Sequence, residues 1–320
     1  MTYDIYFHDD FDGRASAAVM FDFLRSRGDD ILHYVPVDFD IQAHYLKDNF
    51  FTAHKLFRGK RNPAIVVDFI YHPKAALWFD HHATAFKRDD WKKSFHASKC
   101  RQWHPDYFSC CHAVLDALIK DFGYHPPARI RELARWLDVI DGARYVSAKQ
   151  TIEKKEPAFQ LGAFIEDGNL KNEKENAFFI ASLADHSMQS MVKDRAVQKS
   201  IHKNRNETKA GLAYYKKHLK VHGVIAEIEI PTNRFLSLRF APFYFYPKLL
   251  YAVRVVKREG FFKLSLGVNP WMRGKTTVHI GEFLKKHFRG AGGHKNVGAA
   301  EFETKEALAR AVEKIIKAFK

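Results

Sequence analysis

Acidic and imidazole side chains recur in this sequence at the ends of short apolar runs, and their types suit a divalent cation. The first group is His8-Asp9-Asp10-Phe11-Asp12-Gly13. His8, Asp10 and Asp12 alternate, so an extended segment would point them to one side. The second is Asp68, just beyond Ile65-Val66-Val67, and the third is Asp80-His81-His82, beyond Leu77-Trp78-Phe79. The fourth is Trp136-Leu137-Asp138-Val139-Ile140-Asp141-Gly142. Asp138 sits there in an apolar setting, where a lone carboxylate is costly. Carboxylates with a minority of imidazole favour Mn²⁺ or Mg²⁺ over a structural zinc. Each group also has an ordinary explanation: an Asp can cap a helix, and a buried salt bridge relieves Asp138 as well as a metal does. The fifth group is Gly290-Ala291-Gly292-Gly293-His294-Lys295 and its continuation to Ala300. Glycines there let backbone N–H groups approach a phosphate, and His294 and Lys295 add charge. Most glycine-rich stretches are nevertheless only loops.

These residues need a scaffold. Tyr3 to Phe7, Ile31 to Val37, Ile65 to Val67 and Leu77 to Phe79 read as short buried strands, each ending in or near an acid. A helix is expected over Ala15 to Arg25. Short apolar strands separated by helices predict a mostly parallel sheet covered on both faces, an α/β fold whose polar groups gather at the strands' carboxyl ends. Ile130 to Val139 follows helical spacing, and charge-rich residues from about 173 to 220 predict long connecting helices. Then the texture changes. Val221 to Ile230, Tyr251 to Lys257 and Phe262 to Val268 read as strands of a smaller C-terminal α+β domain, closed by an amphipathic helix over Leu308 to Phe319. The expected division is a catalytic domain over 1–200, a helical linker over 201–220 and a substrate-binding domain over 221–320.

The 320 residues suffice for two cores, and 46% hydrophobic residues exclude a disordered chain. No apolar run reaches the roughly 18 residues a membrane helix needs, so no membrane partner is expected. The N-terminus lacks the features of a secretory signal. Three cysteines, none in a CxxC pair, point to a reducing, cytoplasmic setting. A net charge of +15 favours a polyanionic partner, although solubility alone would also account for it.

Taken together and in order, the five groups make the sequence resemble the DHH phosphoesterase superfamily, whose Asp-His-His triplet stands here as Asp80-His81-His82. Relatives in that superfamily include RecJ-type exonucleases and nanoRNases. His8-x-Asp10-x-Asp12-Gly13 resembles the RecJ-type opening motif, Asp68 the single aspartate of the second, Asp138 the fourth, and Gly290–Ala300 the signature of the DHH-associated C-terminal domain. The resemblance implies two divalent cations, Mn²⁺ or Mg²⁺. His8, Asp12 and Asp68 would hold one; Asp10, Asp68, His81 and Asp138 would hold the other, with Asp141 as the alternative to Asp138. Asp68 would bridge and, with His82, serve catalysis. His82, Gly292, Gly293, His294 and Lys295 would contact substrate. One departure is Arg14, which stands where the nanoRNase motif has a further aspartate.

The resulting expectation is two-metal hydrolysis of a phosphodiester in single-stranded nucleic acid or a short oligonucleotide. The aromatic run Phe240 to Tyr246 offers bases a stacking surface, or else packs as a domain edge. Two other readings are a phosphomonoesterase or phosphoanhydride hydrolase acting on nucleotides, pyrophosphate or polyphosphate, and a non-catalytic nucleic-acid-binding protein. Clustered carboxylates without a metal would repel one another, which weighs against the last.

Overall fold

A computed structural model describes residues 1–53, 62–231, 235 and 238–319. Two compact units emerge, Met1–Arg144 with Glu156–Ile201, and Tyr145–Lys155 with His202–Lys320. The first is built on five parallel strands: β1 (Thr2–His8), β2 (Asp30–Val37), β3 (Ala64–Val67), β4 (Leu77–Asp80) and β5 (Arg101–Trp103). Their order is β2-β1-β3-β4-β5, every pair parallel.

Period-2 alternation explains why such short runs can be apolar throughout. Ile5, Phe7, Ile65, Val67 and Phe79 face one core, shared with helices that include Phe11–Ser26, Cys110–Phe122, Ala128–Ile140, Pro157–Glu166 and Glu173–Asp185. Tyr6, Val66 and Trp78 face a second, aromatic core containing Tyr45, Phe50, Phe69, Tyr71 and Trp91. Both faces of the sheet are thus buried, as a parallel sheet requires. The chain leaves β1 for β2 on one side and returns to β3 on the other. The carboxyl ends of β1 and β3 therefore flank a topological switch point, where open α/β sheets form crevices.

The second unit carries a six-stranded mixed sheet ordered β10-β11-β9-β8-β7-β6. Its strands are β6 (Lys220–His222), β7 (Ile225–Ile230), β8 (Tyr251–Lys257), β9 (Phe262–Val268), β10 (Gly292–Gly293) and β11 (Val297–Phe302). Val221 to Ile230, read as one alternating strand, is a hairpin: β6 and β7 are antiparallel and meet at a turn in which Gly223 has φ +64°. Helices Ile280–His287 and Lys305–Phe319 bury Ile280, Leu284, Leu308, Ile315 and Phe319 with one side of the sheet. No helix among the described residues is long and apolar enough to cross a membrane.

Candidate metal centre

The first group does not stay extended. Strand β1 stops at His8, and the helix begins at Phe11, with Asp10 as its N-cap accepting from Gly13 N at 2.9 Å. Asp12 lies in the helix's first turn, not on a strand face. Gly13 permits this sharp reversal, because a Cβ there would sit 2.2 Å from His8 O. Asp10 and Asp12 consequently point into different parts of one cluster.

Three overlapping groups have candidate ligand atoms that all lie within 4.8 Å of one another: His8, Asp10 and Asp68; Asp12, His81 and Asp141; and Asp68, His81 and His82. Where the expected sets put Asp12 with His8 and Asp10 with His81, the side chains lie as His8 near Asp10 and His81 near Asp12, because the helix starts early at Phe11. Asp68 lies between His8 and His81. Its Oδ2 is 3.7 Å from His8 Nδ1, and its Oδ1 is 3.6 Å from His81 Nε2. Asp68 is 1% exposed, and neither of its oxygens receives a hydrogen bond from the described residues. It also holds φ +59°, a strained value for a residue with a Cβ.

Asp138 is placed elsewhere. Its carboxylate accepts from Ser109 Oγ at 2.7 Å and pairs with His112 Nδ1 at 2.6 Å. Asp141, at the C-cap of Ala128–Ile140, approaches His81 Nε2 at 3.4 Å instead. Among the described residues the cluster thus contains Asp141 and not Asp138. Sequence reading missed Ser109 and the helix it caps. The backbone N–H groups of Cys110 and Cys111 donate to Asp12 at 2.6 and 3.0 Å, so this helix N-terminus fixes a ligand candidate. The signal was present in Ser109 as N-cap and Gly123 as a left-handed C-cap.

Outer contacts orient both histidine rings. His81 Nδ1 lies 3.1 Å from Tyr107 O, which leaves Nε2 toward the carboxylates. His82 Nδ1 lies 2.8 Å from Asp80 Oδ1. Arg14 is buried beside the first turn, donating to Asn176 Oδ1 and Asp10 O and pairing with Asp9.

The electrostatics follow from burial. Asp68 and Asp12 are pushed well above the usual carboxylate range, first by burial and then by neighbouring carboxylates: Asp12 for Asp68, Asp141 and Asp10 for Asp12. Burial likewise raises Asp141. Burial would raise Asp10 too, but the His8 ring, the Gly13 N–H and His82 together hold it low. Buried oxygens without donors, beside an imidazole nitrogen with none, are what a bound cation would satisfy. The donor set fits a pair of divalent cations.

The glycine loop lies in the second unit and is described within it. Gly281 N and Ile280 N donate to His294 O and Lys295 O, both at 2.9 Å. A Cβ on Gly281 would lie 2.2 Å from Gly293 O, and one on Gly293 2.3 Å from Val297 O. Close packing on helix Ile280–His287 therefore accounts for Gly293, while His294 and Lys295 are exposed. The aromatic run Phe240 to Tyr246 is mostly packed. Phe243 is buried and Phe240 meets Trp271 at 5.5 Å, while Tyr246 is exposed.

No protein-family model matches the sequence, and no curated protein matches it. Solved structures do. A pGpG-specific phosphodiesterase, PggH from Vibrio cholerae, aligns over 99% of this chain and 100% of its own with TM-score 0.70 at 18% identity. A DHH domain described as belonging to a family of ribosomal proteins aligns over 99% and 87%, with TM-score 0.63 at 12% identity. The exonuclease RecJ bound to manganese aligns over 99% and 89%, with TM-score 0.52 at 15% identity. The chain shares its fold with these solved structures, one of them a DHH domain. In this fold the triplet Asp80-His81-His82 stands at the end of β4, with Asp68 beyond the end of β3.

Proposed function

We propose that this chain is a two-metal phosphodiesterase acting on short single-stranded oligonucleotides. The observation that carries the reading is Asp68, a buried carboxylate with one oxygen toward His8 and the other toward His81. On this reading His8, Asp10 and Asp68 would hold one cation, and Asp12, Asp68, His81 and Asp141 would hold the other. Mn²⁺ is the preferred ion, with Mg²⁺ the alternative. Bound there, the pair supplies a water acidified toward neutral pH and neutralises charge on the phosphoryl oxygens.

The chain's own groups do the rest. Asp80 orients His82 through Nδ1, so that the half-exposed imidazole offers Nε2 to a phosphate oxygen. Burial lowers the pKa of His82, and Asp80 together with Asp141 raises it by more. His294 and Lys295, exposed in the second unit beside Gly292 and Gly293, are assigned to substrate phosphate. The net charge of +15 supports a polyanionic substrate, and the likeness to the pGpG phosphodiesterase favours short linear ones.

The test is a substrate panel with Mn²⁺: labelled oligonucleotides of two to twenty-four nucleotides, cyclic dinucleotides, pyrophosphate and a phosphomonoester. Preferred release of mononucleotides from the shortest linear oligomers is expected. Turnover confined to pyrophosphate or the monoester would reject the phosphodiesterase assignment.

A further inference from the structure

Two loops that meet the metal centre also meet each other through an exposed aromatic ring. Phe108 follows Tyr107, whose carbonyl holds His81, and precedes Ser109, which caps the helix that fixes Asp12. Its ring is 48% exposed, although its chain neighbours are engaged in the site. From the other side comes the turn after Asp141. Gly142 packs so close that a Cβ would fall 2.9 Å from Phe108 Cβ. Ala143 takes φ +48°, a conformation a Cβ disfavours, and Arg144 N donates to Val139 O at 2.9 Å. This tight turn brings the Arg144 guanidinium to 4.2 Å from the centroid of the Phe108 ring.

We infer that Phe108 and Arg144 form a nucleobase platform, on which the base adjoining the scissile phosphate stacks. An exposed cation–π pair contributes little to stability, and here it is maintained by a strained Ala143 and an obligatory glycine. Both loops are anchored at one proposed cation set, by His81 through Tyr107 and by Asp141 through Gly142. A phenyl ring and a guanidinium plane are the two surfaces on which proteins stack unpaired bases, and the guanidinium adds charge toward the phosphate. Stacking of this type tolerates any base, since every base has a π-face. The ligand class is thus a nucleotide or oligonucleotide with at least one unpaired base, not a bare phosphate chain.

The platform deepens the phosphodiesterase reading and rests on it for its ligand, but its test does not require turnover. The probe is a dinucleotide carrying 2-aminopurine next to a methylene-bridged, non-hydrolysable phosphonate, titrated into the Mn²⁺-loaded protein. Wild-type protein should quench the fluorophore on binding. Phe108→Leu and Arg144→Ala should each weaken binding by roughly 5- to 150-fold, the range for one lost stacked base, and Phe108→Leu should abolish most of the quenching. In parallel, the ratio of kcat/KM for a cleavable dinucleotide to that for its abasic analogue should fall in both variants. Quenching that depends on Phe108, in a protein that cleaves nothing, would keep the platform and overturn the catalytic assignment. Cleavage with the base preference and quenching unchanged in Phe108→Leu would overturn the platform and leave catalysis standing.

Discussion

At the scale of single residues, the centre depends on carboxylates that do not touch the proposed cations as well as on those that do. Asp138 ties the helix ending at Asp141 to Ser109 and His112, at the start of the helix whose N–H groups hold Asp12. On the proposed reading it would act as a positioning residue, through Asp12 and Asp141. Asp138→Ala should lower Mn²⁺ affinity by roughly 10- to 100-fold, the usual cost of losing an outer partner. Asp138→Asn, which can still accept from Ser109, should lose less. Calorimetric titration of the two variants would measure this, and unchanged affinity in Asp138→Ala would remove its role. The choice between Asp138 and Asp141 was not legible in the sequence. The two lie three residues apart at a helix end, and only the packing of the Ser109 cap against that helix decides which carboxylate is already occupied.

At the scale of elements, the strands were legible because burial on both faces demands unbroken apolar runs, and Ile65-Val66-Val67 or Leu77-Trp78-Phe79 satisfy nothing else so well. The partners of Asp10 and Asp12 were not, because they depend on where the first helix starts. Capping by Asp10 starts that helix at Phe11, four residues before the expected Ala15. Gly13→Ala tests this junction. Its Cβ would collide with His8 O, so the variant should lose about 1–3 kcal/mol of stability and bind Mn²⁺ more weakly. A denaturation midpoint and Mn²⁺ titration matching wild type would show the junction to be tolerant.

The aromatic core on the other face of the sheet carries a pH response of its own. His72 is fully buried, with Nε2 3.2 Å from Lys47 O and Nδ1 accepting from Lys74 N at 3.2 Å, an arrangement that suits the neutral ring. Burial lowers its pKa to about 4. The unfolded chain, with an ordinary pKa of about 6.5, therefore binds the proton first, and stability present above that value is lost as pH falls. Between pH 7 and 5 metal-free wild type should lose about 2 kcal/mol more than His72→Phe. Parallel denaturant melts at the two pH values would detect the difference, and equal losses would mean that His72 titrates normally.

At the scale of the molecule, a +15 chain carries a partly buried acidic cluster. That basic balance suits a polyanion, and kcat/KM for a single-stranded oligonucleotide should fall with salt, with a log–log slope of about −0.7 for each phosphate contacted. A flat salt dependence would assign the charge to solubility alone. The aromatic run Phe240 to Tyr246 shows why composition alone misplaces binding surfaces. Phe243 is buried in the second unit and Phe240, Tyr244 and Phe245 pack partly buried around its core, whereas the exposed ring of Phe108 stands in a stretch of sequence that carries no motif.

The most direct test of the bridged pair is the number of Mn²⁺ ions bound per chain, measured by equilibrium dialysis and elemental analysis on wild type and Asp68→Asn, with circular dichroism confirming that both are folded. Wild-type protein should hold two ions, and Asp68→Asn, deprived of the carboxylate common to both sets, at most one, with turnover lost. A wild type that binds fewer than two ions, or an Asp68→Asn variant that keeps two, would contradict the two-metal centre.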